Sequence, residues 1–258
     1  MDSYGSVPSR GGGSRMVMNS PISSTRLDRL VADVAAQEPA TVVDIGCGWG
    51  EALIRVLEQV PDCRGTGIDL HGPDIDRARA STRDRCVENR STFIAGDAGS
   101  FDDSADLAIN IGSYQAFSDV ETALRRFHTI VKPGGRLLFG TEIWMSIPTD
   151  VQLSNMWKDA SVDDCMLLAD IVDVIAATGW RVLDLQESSR DEWDAFECGL
   201  MRDREEWLVA NPSAPGVEEM SRELDEHRRR WLRGHRDVMG FATFVLGPIG
   251  KVNLEDGE

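Results

Sequence analysis

From residue 42 to residue 50 the chain reads Val42-Val43-Asp44-Ile45-Gly46-Cys47-Gly48-Trp49-Gly50. Residues 41–45 form a short apolar, β-branched run that predicts a strand covered on both faces. The three glycines that follow predict a tight turn whose backbone can come close to a ligand. Residues 51–60 then carry apolar side chains at helical spacing. A glycine turn between a strand and a helix N-terminus is typical of nucleotide-binding sites.

The glycine spacing separates this turn from two common phosphate-binding motifs. The pattern is Gly-x-Gly-x-Gly, whereas the dinucleotide fingerprint places its third glycine where this chain has Glu51. The lysine of the P-loop pattern is also missing from the turn. Because Asp44 and Glu51 flank the glycines with negative charge, a ligand carrying an amine and a sulfonium suits the turn better than a pyrophosphate does.

The motif resembles the first motif of the class I S-adenosylmethionine (SAM)-dependent methyltransferases, Asp-x-Gly-x-Gly-x-Gly. Four further signals follow in the order that this family shows. They are Gly67-Ile68-Asp69-Leu70, Phe93-Ile94-Ala95-Gly96-Asp97-Ala98, Leu107-Ala108-Ile109-Asn110-Ile111-Gly112 and the Lys132-Pro133-Gly134-Gly135 turn before a fifth apolar run. The resemblance covers about residues 26–247 and is strongest over residues 42–140.

The resemblance implies SAM as the cofactor and assigns residues to it. Asp69 lies 19 residues after Gly50, where an acidic residue accepts hydrogen bonds from ribose hydroxyls. Asp97 would accept from the adenine amino group, and Asp44 would anchor the methionine amino group directly or through water. The expected cofactor-binding residues are Asp44, Gly46, Cys47, Gly48, Gly50, Asp69, Leu70, Asp97, Ala98, Asn110 and Ile111.

Strands and helices alternate over residues 40–185, which predicts an α/β fold with a doubly wound, mostly parallel sheet. Seven strands are expected. The sixth is placed at residues 180–186 and the seventh at residues 239–246, and the resemblance makes the seventh antiparallel. Helices are predicted at residues 49–60, 74–88, 119–130 and 163–178, after an N-terminal helix within residues 20–36 that Ser23 or Ser24 would cap.

About 50 residues, 187–237, separate the sixth and seventh predicted strands, where the minimal fold has a short loop. Two Trp-rich helices are predicted there, at residues 191–210 and 216–237, and each must bury an apolar face. Ligands of such sheets bind outside the carboxyl ends of the strands. We therefore expect this helical insertion to form a lid on the acceptor pocket, with a structural or dimerising hairpin as the alternative.

Candidate acceptor-binding residues follow the fourth and fifth predicted strands and begin the insertion. They are Tyr114, Gln115, Phe117, Trp144 and Trp193. The candidate catalytic residues are Tyr114, Glu142 and His235. Glu142 would act as a base, bind a cationic acceptor, or be a wall carboxylate paired with an arginine. Methyl transfer mainly needs alignment and exclusion of water, so a general base is required only for a protonated acceptor.

The charge and cysteine content of the chain limit the partners and ligands that it is expected to bind. The formal net charge of the 258 residues is −17, which disfavours nucleic acid and anionic membranes. The five cysteines are widely spaced, so we expect no disulfide framework and a cytoplasmic location. No His/carboxylate spacing suggests a metal site, so none is expected. No signal-peptide core or membrane span is expected. A monomer or homodimer is expected.

The sequence thus predicts a methyltransferase domain over residues 19–250, with a disordered tail or tag remnant at 1–18 and an acidic tail at 251–258. The expected function is SAM-dependent methylation of a small molecule, on nitrogen or oxygen by default and with carbon open. A SAM-binding protein without catalysis is one alternative. A nicotinamide-dependent oxidoreductase is another, disfavoured by the glycine spacing and the lack of a Tyr-x-x-x-Lys pair.

Overall fold

The computed structural model describes Pro8, Gly13 and residues 15–249. Most of the predicted tail at 1–18 and all of the predicted acidic tail at 251–258 lie outside the described residues. The chain divides into two compact units. The first, called the sheet unit, contains Ser23–Glu142, Leu168–Glu187 and the segment from Phe241 onward. The second, called the helical unit, contains the segment up to Ile22, Ile143–Leu167 and Ser188–Gly240.

The strands form one sheet in the order β3-β2-β1-β4-β5-β8-β7. Their bounds are β1 Thr41–Ile45, β2 Arg64–Asp69, β3 Ser91–Ala95, β4 Ala105–Ile111, β5 Val131–Trp144, β7 Trp180–Glu187 and β8 Met239–Pro248. β1 pairs in parallel with β2 and β4, β2 with β3, and β4 with β5, whereas β7 and β8 are antiparallel. The predicted doubly wound sheet with an antiparallel last strand is confirmed.

One short strand was not predicted. This strand, β6, consists of Met166 and Leu167. It pairs in parallel with Ile143 and Trp144 at the carboxyl end of β5. Residues 163–178 are therefore not one helix. A short 3-10 turn capped by Ser161 occupies Val162–Asp164, and the helix begins only after β6.

The helices are α1 Ser24–Ala35, α2 Glu51–Gln59, α3 Gly72–Asp84, α4 Val120–Ile130, α5 Asp150–Leu153, α6 Leu168–Ala177, α7 Arg190–Ala210 and α8 Val217–Arg230. Ser23 caps α1, since its side chain accepts from the Arg26 N–H. α3 begins two residues earlier than predicted and carries a proline in its first turn, which the missing N–H of proline permits.

The sheet unit is built around strands that are buried on both faces. β1 has four buried residues in a row and β4 has six buried residues of seven. Trp180 is fully buried, and its indole N–H donates to the Leu124 carbonyl at 3.0 Å, which satisfies the polar end of the ring. Continuous apolar strands thus place the sheet between helix layers, and the carboxyl ends of the parallel strands β1 to β5 share one edge.

The helical unit buries the Trp-rich faces that the sequence predicted. One cluster of buried residues lies on α7, α8 and the segments next to them: Met201, Trp207, Ala214, Met220, Leu224 and Trp231. A second contains Trp144, Met156, Val238 and Met239, with Trp193 packed against it. After α8 the chain makes a π-helical turn, Trp231–His235. Both clusters lie within this unit, so its helices have an apolar core of their own.

Candidate cofactor site and acceptor residues

The glycine turn has three backbone positions in the left-handed region: φ is +72° at Gly46, +51° at Gly48 and +75° at Gly50. A Cβ at Gly46 would lie 2.2 Å from the Ser113 Cβ, and one at Gly50 would lie 2.4 Å from the Phe93 ring. Nothing lies within 4 Å of the corresponding position at Gly48. Two of the glycines are therefore required by packing within the protein, while Gly48 leaves open space beside the backbone.

Hydrogen bonds from neighbouring strands fix this turn. The N–H groups of Gly46 and Cys47 donate to the Ile68 carbonyl at 2.8 and 3.1 Å. The Ser113 hydroxyl donates to the Gly46 carbonyl at 3.2 Å. Because these contacts come from the ends of β2 and β4, the turn is held by both strands that flank β1.

Asp69 ties the end of β2 to the turn. Its Oδ2 accepts from the Gly48 N–H and its Oδ1 accepts from the His71 N–H, both at 2.8 Å. The residue is half-buried, and each carboxylate oxygen has a second lone pair. Asp69 can therefore hold the turn and still accept from two further donors.

Asp44 is a buried carboxyl group at the end of β1, with 3% of its surface exposed. Burial and the negative charge of Asp69 raise the pKa of Asp44 to about 8, against a smaller opposing effect of the Leu53 backbone N–H. A cationic ligand group near Asp44 would favour its ionised form. This chemistry fits the amine and sulfonium of SAM and not a pyrophosphate.

The raised pKa makes a prediction for stability. At pH values between the ordinary pKa of an aspartate and about 8, Asp44 is protonated in the folded chain but ionised in the unfolded chain. The free energy of unfolding therefore falls as the pH rises through this range. We expect Asp44→Asn to gain stability relative to the parent chain from pH 5 to pH 7.5, by up to about 1.4 kcal/mol per pH unit. Urea denaturation without ligand measures this difference. A pH-independent difference would contradict the raised pKa.

Further predicted cofactor residues follow β2, β3 and β4. Asp97 is exposed, and its Oδ1 accepts from the Gly99 N–H at 2.9 Å. Ala98 is buried, whereas Leu70 is 78% exposed. Asn110 is fully buried; its Nδ2 donates to the Ile45 carbonyl at 2.9 Å, while its Oδ1 has no hydrogen-bond partner among the described residues. All eleven predicted cofactor residues therefore lie in the sheet unit, at or just beyond the carboxyl ends of β1 to β4.

The predicted acceptor residues after β4 form a short 3-10 turn, Tyr114–Phe117. Tyr114 is half-buried and Gln115 is exposed. The Phe117 ring packs edge-to-face on Phe127 of α4, with the ring centroids 5.3 Å apart. Phe117 is thus partly committed to packing within the protein, a contact that its position in the sequence did not predict.

Glu142, also in the sheet unit, lies in β5 between Gly140, which pairs with β4, and Ile143, which pairs with β6. Burial raises the pKa of its carboxyl group, and its Oε2 is buried without a hydrogen-bond partner in the described chain. No ion pair to Glu142 occurs among residues 15–249, so the arginine partner considered for it is not observed there. A buried, unpaired carboxyl group with a raised pKa is suited to exchange a proton.

Trp144, Trp193 and His235 belong to the helical unit. Trp144 is 1% exposed and its indole N–H donates to the Val162 carbonyl at 2.8 Å, so this ring is part of the core. The rings of Trp193 and His235 have centroids 6.2 Å apart. The structure therefore brings Trp193 together with His235, whereas Tyr114, Gln115, Phe117 and Glu142 lie in the other unit.

Several features of the site were not predicted. Ser113, which holds the glycine turn, directly follows the motif at residues 107–112 and was not assigned a role. Glu51 forms ion pairs with Arg55 at 2.6 Å and Arg85 at 2.7 Å, so its charge is compensated. The argument against a pyrophosphate therefore depends on Asp44 and Asp69. Burial, followed by the charge of Asp44, raises the pKa of the Cys47 thiol, which keeps it un-ionised at neutral pH.

The described residues hold neither a metal-binding cluster nor a membrane-spanning helix. No group of three or more His, Cys, Asp and Glu in this part of the chain is arranged to hold a metal ion. No helix in it combines the length and apolar character needed to cross a bilayer.

Comparison with known proteins gives matches to methyltransferases. The "Methyltransferase domain" family model matches residues 43–137. A SAM-dependent methyltransferase from Thiobacillus denitrificans, solved with S-adenosyl-L-homocysteine (SAH), superposes with a TM-score of 0.80 at 26% identity, covering 91% of this chain and 95% of that one. The uncharacterized protein YjhP of Escherichia coli is 26% identical over 216 residues, 83% of this chain and 87% of that protein.

A further relative is the 27-O-demethylrifamycin SV methyltransferase of Amycolatopsis mediterranei, 29% identical over 134 residues, 50% of this chain and 49% of that protein. The fold, the glycine turn with its two aspartates, and these matches agree. The family match over residues 43–137 and the likeness to an SAH-bound methyltransferase support a class I SAM-dependent methyltransferase with SAM as its cofactor.

Proposed function

We propose that this chain transfers the methyl group of SAM to a small-molecule acceptor, on oxygen or nitrogen. The observation that carries the proposal is the group formed by the glycine turn, Asp44 and Asp69. The turn leaves open space at Gly48, a buried carboxyl group lies behind it, and a second carboxylate beside it retains free lone pairs. These features match a ligand with a cationic part and a hydroxyl-bearing part.

In this proposal the cofactor contacts are divided along the edge of the sheet unit. Asp69 accepts from the ribose hydroxyls, Asp97 from the adenine amino group, and Ala98 leaves room for the adenine ring. Asp44 faces the methionine amino group, directly or through water. The other contacts are made by Gly46, Cys47, Gly48, Gly50, Leu70, Asn110 and Ile111.

Bound SAM supplies an activated methyl group, since its sulfonium makes the thioether a good leaving group. The residues of the chain then have to align the acceptor and exclude water. We propose Tyr114, Gln115, Phe117 and Trp193 as acceptor contacts, and Trp144, against whose cluster Trp193 packs, as a residue that supports Trp193. Glu142, Tyr114 and His235 are the candidate groups to take a proton from an acceptor that carries one.

The nature of the acceptor is proposed from charge and from similarity. A net charge of −17 opposes nucleic acid, and the relative from Amycolatopsis is named for methyl transfer to 27-O-demethylrifamycin SV. We also propose that the helical insertion contributes to acceptor binding and that the protein acts in the cytoplasm as a monomer or homodimer.

Calorimetric titration of the purified chain with SAM, SAH and NAD tests the cofactor. We expect binding of SAM and SAH and no heat with NAD, because the third glycine of the dinucleotide fingerprint is replaced by Glu51 and two carboxyl groups, Asp44 and Asp69, adjoin the turn. A panel of phenols, alcohols, carboxylic acids and amines, assayed by release of SAH, then tests methyl transfer. Binding of NAD alone would contradict the proposal, and SAM binding without turnover of any acceptor would favour a SAM-binding protein without catalysis.

A further inference from the structure

Two short turns of the sheet unit lie against each other. The first, called the adenine turn, is the 3-10 turn Ala98–Ser100, which follows Asp97. The second, called the acceptor turn, is the 3-10 turn Tyr114–Phe117 after β4. A Cβ at Gly99 would lie 2.8 Å from the Ala116 carbonyl oxygen, closer than such atoms can approach. The two turns therefore meet backbone to backbone, with no room for a side chain between them.

Asp97 connects the proposed adenine contact to this backbone contact. Its Oδ1 accepts from the Gly99 N–H at 2.9 Å, and its carbonyl accepts from the Ser100 hydroxyl at 2.8 Å. The same carboxylate is the proposed acceptor for the adenine amino group. A ligand that fixes Asp97 therefore also fixes Gly99, the residue that lies against Ala116.

Helix α4 holds the acceptor turn at the N-terminal end of the helix. The Asp119 carboxylate caps α4 by accepting from the Thr122 N–H at 2.8 Å, and it accepts from the Ser118 hydroxyl at 2.9 Å. Ser118, directly after the turn, has a φ of +80°, which is unfavourable for a residue other than glycine. Backbone strain of this kind persists only where surrounding contacts impose it. The conformation of the acceptor turn therefore depends on its neighbours, and the adenine turn is one of them.

The same helix holds the segment that follows the adenine turn. Arg126 lies on α4, and its Nη2 donates both to the Phe101 carbonyl and to Asp102 Oδ1, the latter at 2.6 Å. Because Phe101 comes directly after Ser100, this guanidinium fixes the position at which the adenine turn ends. Helix α4 is thus the common support of the two turns.

We infer that Arg126 is a positioning residue that couples the two ligands of the reaction. With Arg126 in place, a cofactor bound at Asp97 orders the acceptor turn, so SAM or SAH raises the affinity of the chain for the methyl acceptor. Such coupling is reciprocal, and a bound acceptor raises the affinity for SAM by the same factor. Arg126 acts through the turns, since its Nη2 is bound to Phe101 and Asp102. This inference rests on the proposed function.

Amide hydrogen exchange tests the coupling without any acceptor. The N–H groups of Ala116 and Ser118 report on the acceptor turn, because they donate to the carbonyls of Ser113 and Gln115, both at 3.2 Å. We expect saturation of the full chain with SAH to slow the exchange of these two amides by about 10-fold. Unchanged exchange in a chain that calorimetry shows to bind SAH would overturn the inference.

Arg126→Gln separates ordering through α4 from direct cover of the turn by the ligand. A glutamine is too short to reach both Phe101 and Asp102, so the slowing by SAH should fall below about 2-fold while SAH still binds. Arg126→Lys should keep most of the slowing, because a single nitrogen makes both contacts and a lysine Nζ can donate to both.

The matched control is Arg125→Gln. Arg125 is the preceding residue of α4, and its Nη2 pairs with Glu121 of the same helix at 2.8 Å. The control removes the same charge from the same helix without releasing the adenine turn, so it should keep the full slowing by SAH. Equal slowing in Arg126→Gln and Arg125→Gln would show that the ligand covers the turn directly, and the inference would be wrong.

Kinetics measure the same coupling once SAH release has identified an acceptor. Arg126→Gln should raise the acceptor KM by about 10-fold and leave kcat within about 2-fold, because a saturating acceptor itself imposes the bound conformation of the turn. A loss of kcat with the acceptor KM of the parent chain would contradict the positioning role.

The two proposals fail in distinguishable ways. Absence of SAH binding by the parent chain would refute the proposed function and this inference with it. SAH binding without slower exchange at Ala116 and Ser118 would overturn the inference and leave the methyltransferase proposal in place. If Arg126→Gln does not fold, Gly99→Ala decides: its added methyl group forces the two turns apart, so it should lose the slowing, and full slowing would overturn the inference.

Discussion

Gly46→Ala is expected to lose about 2 to 5 kcal/mol of folding free energy. The residue has a φ of +72°, which costs an L-amino acid about 1 to 2 kcal/mol. Its new methyl group would also lie 2.2 Å from the Ser113 Cβ, and overpacking of this kind costs about 1 to 3 kcal/mol. The Ser113 contact is to a carbon next to the backbone, so rotation of a flexible side chain cannot relieve it.

The matched control for this prediction is Gly134→Ala, in the turn at the start of β5. Gly134 has a similar φ of +82°, but nothing lies within 4 Å of the position of its Cβ. It should therefore show the backbone effect alone, about 1 to 2 kcal/mol. Urea denaturation of the two variants separates backbone strain from the clash with Ser113. Equal losses would show that the turn can move away from Ser113.

Asp69→Ala is expected to weaken SAH binding by about 100-fold or more. Hydrogen bonds to a charged group contribute about 1.5 to 3 kcal/mol each, and the proposed contacts to two ribose hydroxyls would both be lost. About 2.8 kcal/mol corresponds to a 100-fold change in Kd. The Gly48 N–H also loses its acceptor, so the turn itself becomes less well held. Titration calorimetry with SAH measures the effect.

Asp76→Ala serves as its control. This side chain is on α3 in the same unit, is 77% exposed, and pairs at 3.1 Å with Arg79, itself half-exposed. Asp76→Ala removes one negative charge from the sheet unit, as Asp69→Ala does, but leaves the glycine turn unchanged. Because exposed ion pairs contribute little, the Kd for SAH should stay within about 2-fold of that of the parent chain. If Asp69→Ala bound SAH as well as Asp76→Ala does, the ribose assignment would be wrong.

The sheet and the glycine turn could be predicted because their signals are local. β1 was predicted at its observed bounds, since a β-branched run followed by three glycines fixes a strand and its end within ten residues. The start of α6 was placed five residues early, because Val162–Asp164 and β6 interrupt the apolar periodicity only through contacts with a distant strand. Local propensity cannot show such pairing.

The interactions between distant residues were outside the reach of the sequence. Ser113 and Gly46 are 67 residues apart, and Glu197 meets His227 and His235 across 30 and 38 residues. His235 was named as a catalytic candidate from the sequence, but the Glu197 carboxylate 2.6 Å from its Nε2 became visible only in the fold. Whether His235 acts as a base stays a prediction.

The double use of Asp69 has a consequence for redesign of the cofactor specificity. The same carboxylate that is proposed to bind the ribose also accepts from the Gly48 N–H, and Gly48 is followed by a turn packed against Phe93. A substitution intended to admit a different nucleotide at this position would therefore also release the loop that shapes the pocket. A successful redesign would need two changes: one for the new ligand and one that restores an acceptor for the Gly48 N–H.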